Sequence, residues 1–243
     1  MRLVAWNCNM ALHRKAAALL ALRPDVAVIS ECATPERLRA RGPCDWIEQA
    51  PVWIGDNANK GLGVFAFNGY RATLSALHAP RLRHIAPVHI DGPLSFNLLA
   101  VWAQNASGGV TRKHQQGPLR RALTRQRAFL TDRPAVIAGD WNSNVIWDKP
   151  GWRNNHMTKV RLLDRLDLVS AYHATTGEVE GSESTPTHYW RDRRKDGPTY
   201  HIDYVFLPRN WLSRIREFSV GSFEDWCGNG LSDHVPLIVD VAG

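Results

Sequence analysis

The sequence predicts an α/β fold, and three observations carry that expectation. Short runs of branched or small apolar residues, 26–30 and 135–138 among them, show no polar alternation and read as strands buried on both faces. Apolar residues at helical spacing lie between such strands, as Leu12, Ala16, Leu19 and Leu20 do ahead of Arg23-Pro24. Residues 70–102 then alternate strand-like runs with turn signals at Ala79-Pro80 and Asp91-Gly92-Pro93, which favours antiparallel pairing. With 243 residues and no Ser/Gly/Pro-rich linker, residues 1–243 are expected to form a single domain.

The elements follow in order. Residues 2–6 form an apolar strand that ends in Asn7-Cys8-Asn9, and the helical stretch after it leads to the strand 26–30, followed directly by Glu31. Two strands joined by a helix are neighbours in one sheet, which places Asn7 and Glu31 at the same edge. Residues 35–60 show no regular pattern, only a basic run at Arg37, Arg39 and Arg41. Strands are expected at 61–67, 72–77, 85–90 and 96–102. Residues 105–117 are glycine-rich and polar. Residues 119–130 read as a basic helix carrying Arg120, Arg121, Arg125 and Arg127, either a solvated face or one turned to phosphates. After the strand 135–138 come a polar loop at 147–156, a short helix at 160–168 and a long polar loop at 175–200. The last strands are expected at 201–207, 215–220 and 237–241.

Composition narrows the function classes. Hydrophobic content of 44% with 22% charged residues is that of a globular protein, which excludes a disordered chain. Thirty Lys and Arg against 23 Asp and Glu give a net charge of +7, which suits a polyanionic partner. Cys8, Cys32, Cys44 and Cys227 have no C-x-x-C spacing, so reduced thiols in the cytoplasm are expected and a zinc site is not. The apolar residues 16–22 lack the flanking order of a signal peptide, and no apolar run is long enough to span a membrane.

The chemistry-bearing residues sit beside strands. They are Asn7, Glu31, Asp140 with Asn142 just after Gly139, Asp203, and Asp233 with His234. If the chain stays extended past Gly139, Asp140 and Asn142 leave it on the same side; the plain alternative is a polar turn. Four carboxylates drawn together would repel one another, so either they lie apart or a hard divalent cation, Mg²⁺ or Mn²⁺, holds them.

In these positions the chain resembles the endonuclease/exonuclease/phosphatase superfamily, which contains exonuclease III, abasic-site endonucleases, deoxyribonuclease I and inositol polyphosphate 5-phosphatases. Trp6-Asn7, Ser30-Glu31, Gly139-Asp140-Trp141-Asn142, Ile202-Asp203-Tyr204 and Ser232-Asp233-His234 match its motifs in order over nearly the whole chain. The resemblance implies a four-layer α/β/β/α sandwich with two mixed central sheets and a site at one end of them. It implies Glu31 as principal ligand of Mg²⁺ or Mn²⁺, with Asn7 beside it and Asp233 as second ligand or bridge. Asp140 and Asn142 would position the attacking water or a phosphate oxygen. His234, oriented by Asp203, would contact the scissile phosphate. Asp140 and the pair His234 and Asp203 are both candidates to take the proton from water.

The implied activity is metal-dependent phosphodiester hydrolysis by in-line attack of water on phosphorus, with DNA or RNA as substrate and partner. A phosphatase or phosphodiesterase for a small phosphorylated molecule or lipid head group is the alternative; a catalytically silent binding module is a third reading. No membrane association and no obligate protein partner are expected. There are departures from the family pattern. Trp102 stands where family nucleases have Tyr or His; an indole N–H donates a hydrogen bond but accepts no proton, and core packing is equally open for it. Asn9 replaces an Asp. Asn105 matches a phosphate-contacting Asn. Trp190 lies where an aromatic adjoins the extruded nucleotide in exonuclease III-like enzymes, or it anchors its loop. Arg193, Asn144 and His156 complete the expected substrate-binding set.

Overall fold

In the computed structural model, residues 1–47, 49–103, 116–190 and 194–243 are described. Strands β1 (Arg2–Asn7), β2 (Val26–Cys32), β3 (Val52–Asn57) and β4 (Lys60–Ala66) lie in one sheet with β13 (Ile215–Val220) and β14 (Leu237–Val241), in the order β13-β14-β1-β2-β4-β3. Strands β5 (Arg71–Leu74), β6 (Ile85–Asp91), β7 (Phe96–Trp102), β8 (Ala135–Asp140), β9 (Leu168–Ser170) and β12 (Asp203–Pro208) form the other, in the order β5-β6-β7-β8-β12-β9. A short ribbon pairs β10 (His188–Tyr189) with β11 (Thr199–Tyr200).

Both sheets are mixed. Each contains one parallel pair near its centre, β1 with β2 and β7 with β8, and the other ladders are antiparallel. A parallel pair needs a crossover. Helix α1 (Ala16–Ala21) lies in the first, and α3 (Gly117–Arg125) and α4 (Arg127–Asp132) in the second. With α2 (Pro35–Arg41), α1 packs Leu19 and Leu38 on the outer face of the first sheet. On the outer face of the second, α3 and α4 pack Leu119, Leu123, Phe129 and Leu130, and α5 (His156–Asp164) adds Leu163. This is the expected four-layer sandwich. Among the described residues no helix is long and apolar enough to cross a membrane.

The period of two along each strand decides what faces the space between the sheets. Leu3 and Ala5 of β1 enter that central core, whereas Val4 and Trp6 pack outward. Val136 and Ala138 of β8 point inward, with Ala135 and Ile137 outward. In β12, Val205 and Leu207 point inward, with Tyr204 and Phe206 outward. Continued by one step, the same alternation brings Asn7, Asp140 and Asp203 to the inner face at one end of the sandwich. Burial of the apolar members, worth about 1.5–3 kcal/mol for each large side chain, thereby fixes where the polar ones project.

Several local features differ from the sequence expectation. Within residues 35–60, where no regular pattern was expected, two elements form: the Thr34 hydroxyl accepts the Arg37 N–H at 3.2 Å and caps α2 ahead of Pro35, and β3 spans Val52–Asn57. The helix expected over 119–130 breaks at Gln126, whose buried side chain donates to Leu77 O at 2.7 Å. Helix α5 starts at His156, because the Asp148 carboxylate accepts the N–H groups of His156 at 2.5 Å and Met157 at 2.9 Å. A further helix, α6 (Ala171–Thr176), is capped by Ser170, and β5 ends at Leu74.

Gly139 sits where β8 passes closest to β7. Its φ is 132°, and a Cβ there would lie 1.9 Å from Val101 O. Gly177 has φ 75° but open space around it. Gly139→Ala should therefore lower stability by about 3 kcal/mol or more, and Gly177→Ala by only about 1 kcal/mol, as read from urea unfolding midpoints. Equal losses would show that backbone conformation, not the approach to β7, sets the requirement at Gly139.

Candidate active site

Asp140 is the meeting point. It is 1% exposed at the end of β8, between Trp102 of β7 and Asp203 of β12 in register. From the opposite sheet, Asn7 Nδ2 donates to Asp140 Oδ2 at 3.0 Å and to Glu31 Oε1 at 3.3 Å. Asn142 N donates to Asp140 Oδ1 at 2.8 Å, and Asn142 Nδ2 to Oδ2 at 2.9 Å. The extended conformation does not persist through this segment. Asn142 has φ 46°, so it reaches Asp140 by folding back in a tight turn rather than by strand alternation. Trp141 anchors that turn from the outer face, stacked on Phe206 at 4.9 Å.

Glu31 is placed by a bulge. The ladder between β2 and β4 shifts between Ser30 and Cys32, and Glu31 has φ 59°. Its carboxylate lies 3.0 Å from Lys60 Nζ, which in turn sits 5.3 Å from the Trp102 ring centroid. Trp102 also packs its ring at 4.5 Å against His84, and its backbone N–H donates to His84 O at 2.8 Å.

His234 is held from several sides. Its Nδ1 lies 2.8 Å from Asp203 Oδ2, and its backbone N donates to Ser232 Oγ at 3.1 Å. Ser232 Oγ donates to Asn7 O at 2.6 Å, and Trp6 Nε1 to His234 O at 3.0 Å. The Thr187 hydroxyl accepts the Asp203 N–H at 3.1 Å. His188, on β10, packs its ring 4.3 Å from that of His234 and brings Nε2 within 3.7 Å of Asp233 Oδ2.

Electrostatics separates these groups. Burial, reinforced by the neighbouring Asp203 carboxylate, pushes Asp140 up to about 7 against the opposing pull of His234 and Asn7. Burial works against charge on His234, yet the Asp203 carboxylate, aided by Asp140 and Asp233, raises it to about 10. His234 is thus an imidazolium at neutral pH. Burial opposes ionisation of Asp233 too, but His188 and His234 hold it well below the usual carboxylate range.

A divalent cation fits this donor set. Asn7, Glu31, Asp140 and Asp233 offer hard oxygen donors, and Asp203 Oδ1 is buried with no hydrogen-bond partner among the described residues. Asp140 and Asp203 bring carboxylate oxygens within 4.8 Å of each other, and His188 and Asp233 bring ligand atoms equally close, whereas the protonated His234 beside both pairs has no lone pair for a cation. Lys60 supplies the only ion-pair partner recorded for Glu31 among the described residues.

The expected substrate contacts divide. Trp102, 4% exposed, packs in the central core and forms a wall beside Glu31 and Asp140; Trp190 is 43% exposed. Asn144 and His156 are corrected, because both are sealed inside, at 1% and 0% exposure. Asn144 Nδ2 donates to Glu183 Oε2, His201 O and the Tyr204 hydroxyl, and His156 bridges Ser143 Oγ and Glu180 Oε2 at 3.1 Å each. They pin the segment after Asp140 to the loop around residue 180. Asn105 and Arg193 lie outside the described residues. Lys60, His84 and His188 were not anticipated. The signals were a strand-initial Lys opposite Glu31 and a His two residues before Trp190. A cavity of about 860 Å³ lined by Val145, Met157, Val160, Val179, Phe206 and others is mainly apolar and lies apart from this cluster.

No family model matches this sequence, and a search of curated proteins gives no match. Solved structures do resemble it. The 3′ phosphatase NExo from Neisseria, bound to a product DNA hairpin, superposes with a TM-score of 0.71 at 15% identity, covering 100% of both chains. A structure of NExo from Neisseria meningitidis, described as a 3′-5′ exonuclease, gives 0.70 at 17% identity, again over 100% of both chains. The AP endonuclease LMAP from Leishmania major gives 0.72 at 14% identity, covering 100% of this chain and 87% of that one. These likenesses establish that this chain shares the fold of NExo and LMAP.

The raised pKa of His234 has a stability consequence whose sign is fixed. Folding favours the protonated ring, so that contribution is fully present below the unfolded value of 6.5 and is lost as pH rises through about 10. At pH 6 and without divalent cations, His234→Asn should cost about 2–4 kcal/mol in urea unfolding, and the difference from the native protein should shrink towards pH 10. A pH-independent difference would mean that packing rather than the imidazolium supplies the stability.

Proposed function

We propose that this chain is a metal-dependent phosphodiester hydrolase acting on DNA or RNA. The observation that carries the reading is one buried cluster where the two sheets meet: Asn7 of one sheet donates to Asp140 of the other, and Asp203, in register with Asp140, holds His234. The fold shared with NExo and LMAP, described as a 3′ phosphatase, a 3′-5′ exonuclease and an AP endonuclease, supports it.

Glu31, Asn7 and Asp233 would hold Mg²⁺ or Mn²⁺, with Asp140 and Asp203 Oδ1 nearby. Bound there, the cation would supply positive charge to the phosphoryl oxygens. His234 keeps Nδ1–H on Asp203 and presents Nε2–H to a phosphoryl oxygen, where it offsets the charge that builds during attack. As an imidazolium it accepts no proton. Asp140, with a pKa matched to neutral pH, takes the proton of the attacking water as the new P–O bond forms and the bond to the leaving oxygen breaks. Asn7 and Asn142 orient the carboxylate, so their amides act through Asp140. Trp190 offers a ring for base stacking, worth about 1–3 kcal/mol.

A phosphomonoester at a nucleic-acid terminus would meet the same groups, as the description of NExo as a 3′ phosphatase suggests. A cytoplasmic location belongs to this reading, because all four cysteines are buried free thiols.

The test is hydrolysis of duplex, single-stranded and abasic DNA, RNA and small phosphate esters with Mg²⁺ or Mn²⁺. Glu31→Gln and His234→Ala should each lower kcat by about 10²–10⁴-fold in proteins whose circular dichroism is unchanged. The native rate should rise with pH through an acid limb that lies below the value of about 7 that burial gives Asp140 in the metal-free chain, because a bound cation favours the carboxylate, and Asp140→Asn should abolish that limb together with activity. Full activity in Asp140→Asn would overturn the assignment of the base. Turnover of small esters without turnover of any nucleic acid would select the phosphatase reading, and metal binding without turnover the silent module.

A further inference from the structure

Positive charge is distributed unevenly along this chain. Between Asp56 and Asp132 the sequence holds ten Lys and Arg and a single acid, Asp91, whereas the remainder holds twenty Lys and Arg against twenty-two acids. The stretch therefore carries more positive charge than the whole protein, and everything outside it is slightly acidic.

Part of that charge is gathered into one cleft. Residues 75–84, which lead into β6, and helix α3 enclose a space of about 540 Å³ lined by His78, Arg81, Arg121 and Arg125 together with Ala79, Pro80 and Leu82. Its walls are built, not loose. Gln126 Nε2 donates to Leu77 O at 2.7 Å, His78 N to Ser75 O at 2.9 Å and Leu82 N to Ala79 O at 2.8 Å. Arg121 and Arg125 are four residues apart on one exposed face of α3, an arrangement of like charges that costs an isolated helix about 0.2–0.5 kcal/mol. Arg125 in the last turn suits the helix dipole, but Arg121 in mid-helix has no such compensation. Among the described residues no carboxylate lines the cleft. Its neighbour Arg83 does have one, pairing with Asp56 at 3.2 Å.

The cleft is also connected to the chemistry. Arg81 is three residues from His84, whose ring packs on Trp102 at 4.5 Å, and Trp102 is in register with Asp140. Ile85 is in register with Val101, so the segment that carries Arg81 and His84 enters the second sheet at the end where Trp102 and Asp140 lie.

We propose that the cleft of His78, Arg81, Arg121 and Arg125 is a second phosphate-binding site, which holds the sugar-phosphate backbone of a nucleic acid whose scissile phosphate lies at Asp140 and His234. The identity of the anion rests on the hydrolase reading; the existence of the site does not. Guanidinium groups suit phosphate because each presents a planar set of donors, and counterion release gives such contacts their salt dependence.

The experiment measures fluorescence anisotropy of a 20-base-pair DNA duplex with the full chain in EDTA, so that binding is read without turnover. The variant Arg121→Gln/Arg125→Gln is compared with Arg71→Gln/Arg127→Gln, which removes the same charge from exposed positions outside the cleft. The cleft variant should raise Kd about 10-fold at roughly 0.1 M salt and reduce the slope of log K against log salt by about 2. The control should change both much less. Arg121→Lys/Arg125→Lys should recover most of the slope. Turnover of bis(4-nitrophenyl) phosphate should be unchanged in every variant, while KM for DNA rises with Kd. Equal effects of cleft and control variants would overturn the site. Phosphatidylserine vesicles bound more tightly than the duplex, with only that binding lost in the cleft variant, would overturn the nucleic-acid assignment. Failure of the native protein to hydrolyse any ester would instead remove the hydrolase reading and leave the binding result standing.

Discussion

A carboxyl group kept from water at the seam between two sheets constrains the rest of this molecule. An isolated charge in such a place costs several kcal/mol, so Asp140 has to be surrounded by donors. Asn7 reaches it from the opposite sheet, and Asn142 folds back on it twice. The Asp203 carboxylate alongside undoes part of that compensation. What remains is a group balanced between its two protonation states, which is poor for stability and useful for moving a proton. Asp203 has the opposite effect on His234, where the same negative charge secures the proton.

The arrangement is inexpensive in sequence terms because the fold does most of the positioning. Each inward-facing polar residue continues the alternation of an apolar strand, so the packing that drives folding also aims the chemistry. Residues away from the strand ends then tune it. Thr187, Ser232 and Trp6 fix the backbone around Asp203 and His234, and His188 covers the imidazole.

That division explains what could be read from the chain alone. Asn7, Asp140 and Asp203 were legible because a period of two leaves little freedom at the end of a buried strand. The four-layer architecture was implied by the family resemblance that the ordered motifs carry. Asn144 and His156 misled, since a polar residue in a loop near a site looks the same whether it faces substrate or closes an internal network with Glu183 and Glu180. The early start of α5 was hidden because its cap, Asp148, lies eight residues upstream. Lys60 approaches the site from the first residue of β4, His84 from a turn and His188 from a short ribbon, and no local period reports what these end positions face. Asn142 was placed correctly near Asp140 for an incorrect reason: a turn, not an extended strand, brings it there.

The bulge at Glu31 has one more consequence. A regular strand offers a side chain two addresses, the inner layer or the outer one, and both are tied to packing. The extra residue in β2 belongs to neither: Ser30 and Cys32 keep their places on either side while Glu31 turns to the rim. A change of identity at that position leaves both hydrophobic layers intact. The architecture can thus exchange the chemistry presented at this spot, over evolutionary time, without renegotiating how its sheets and helices fit together.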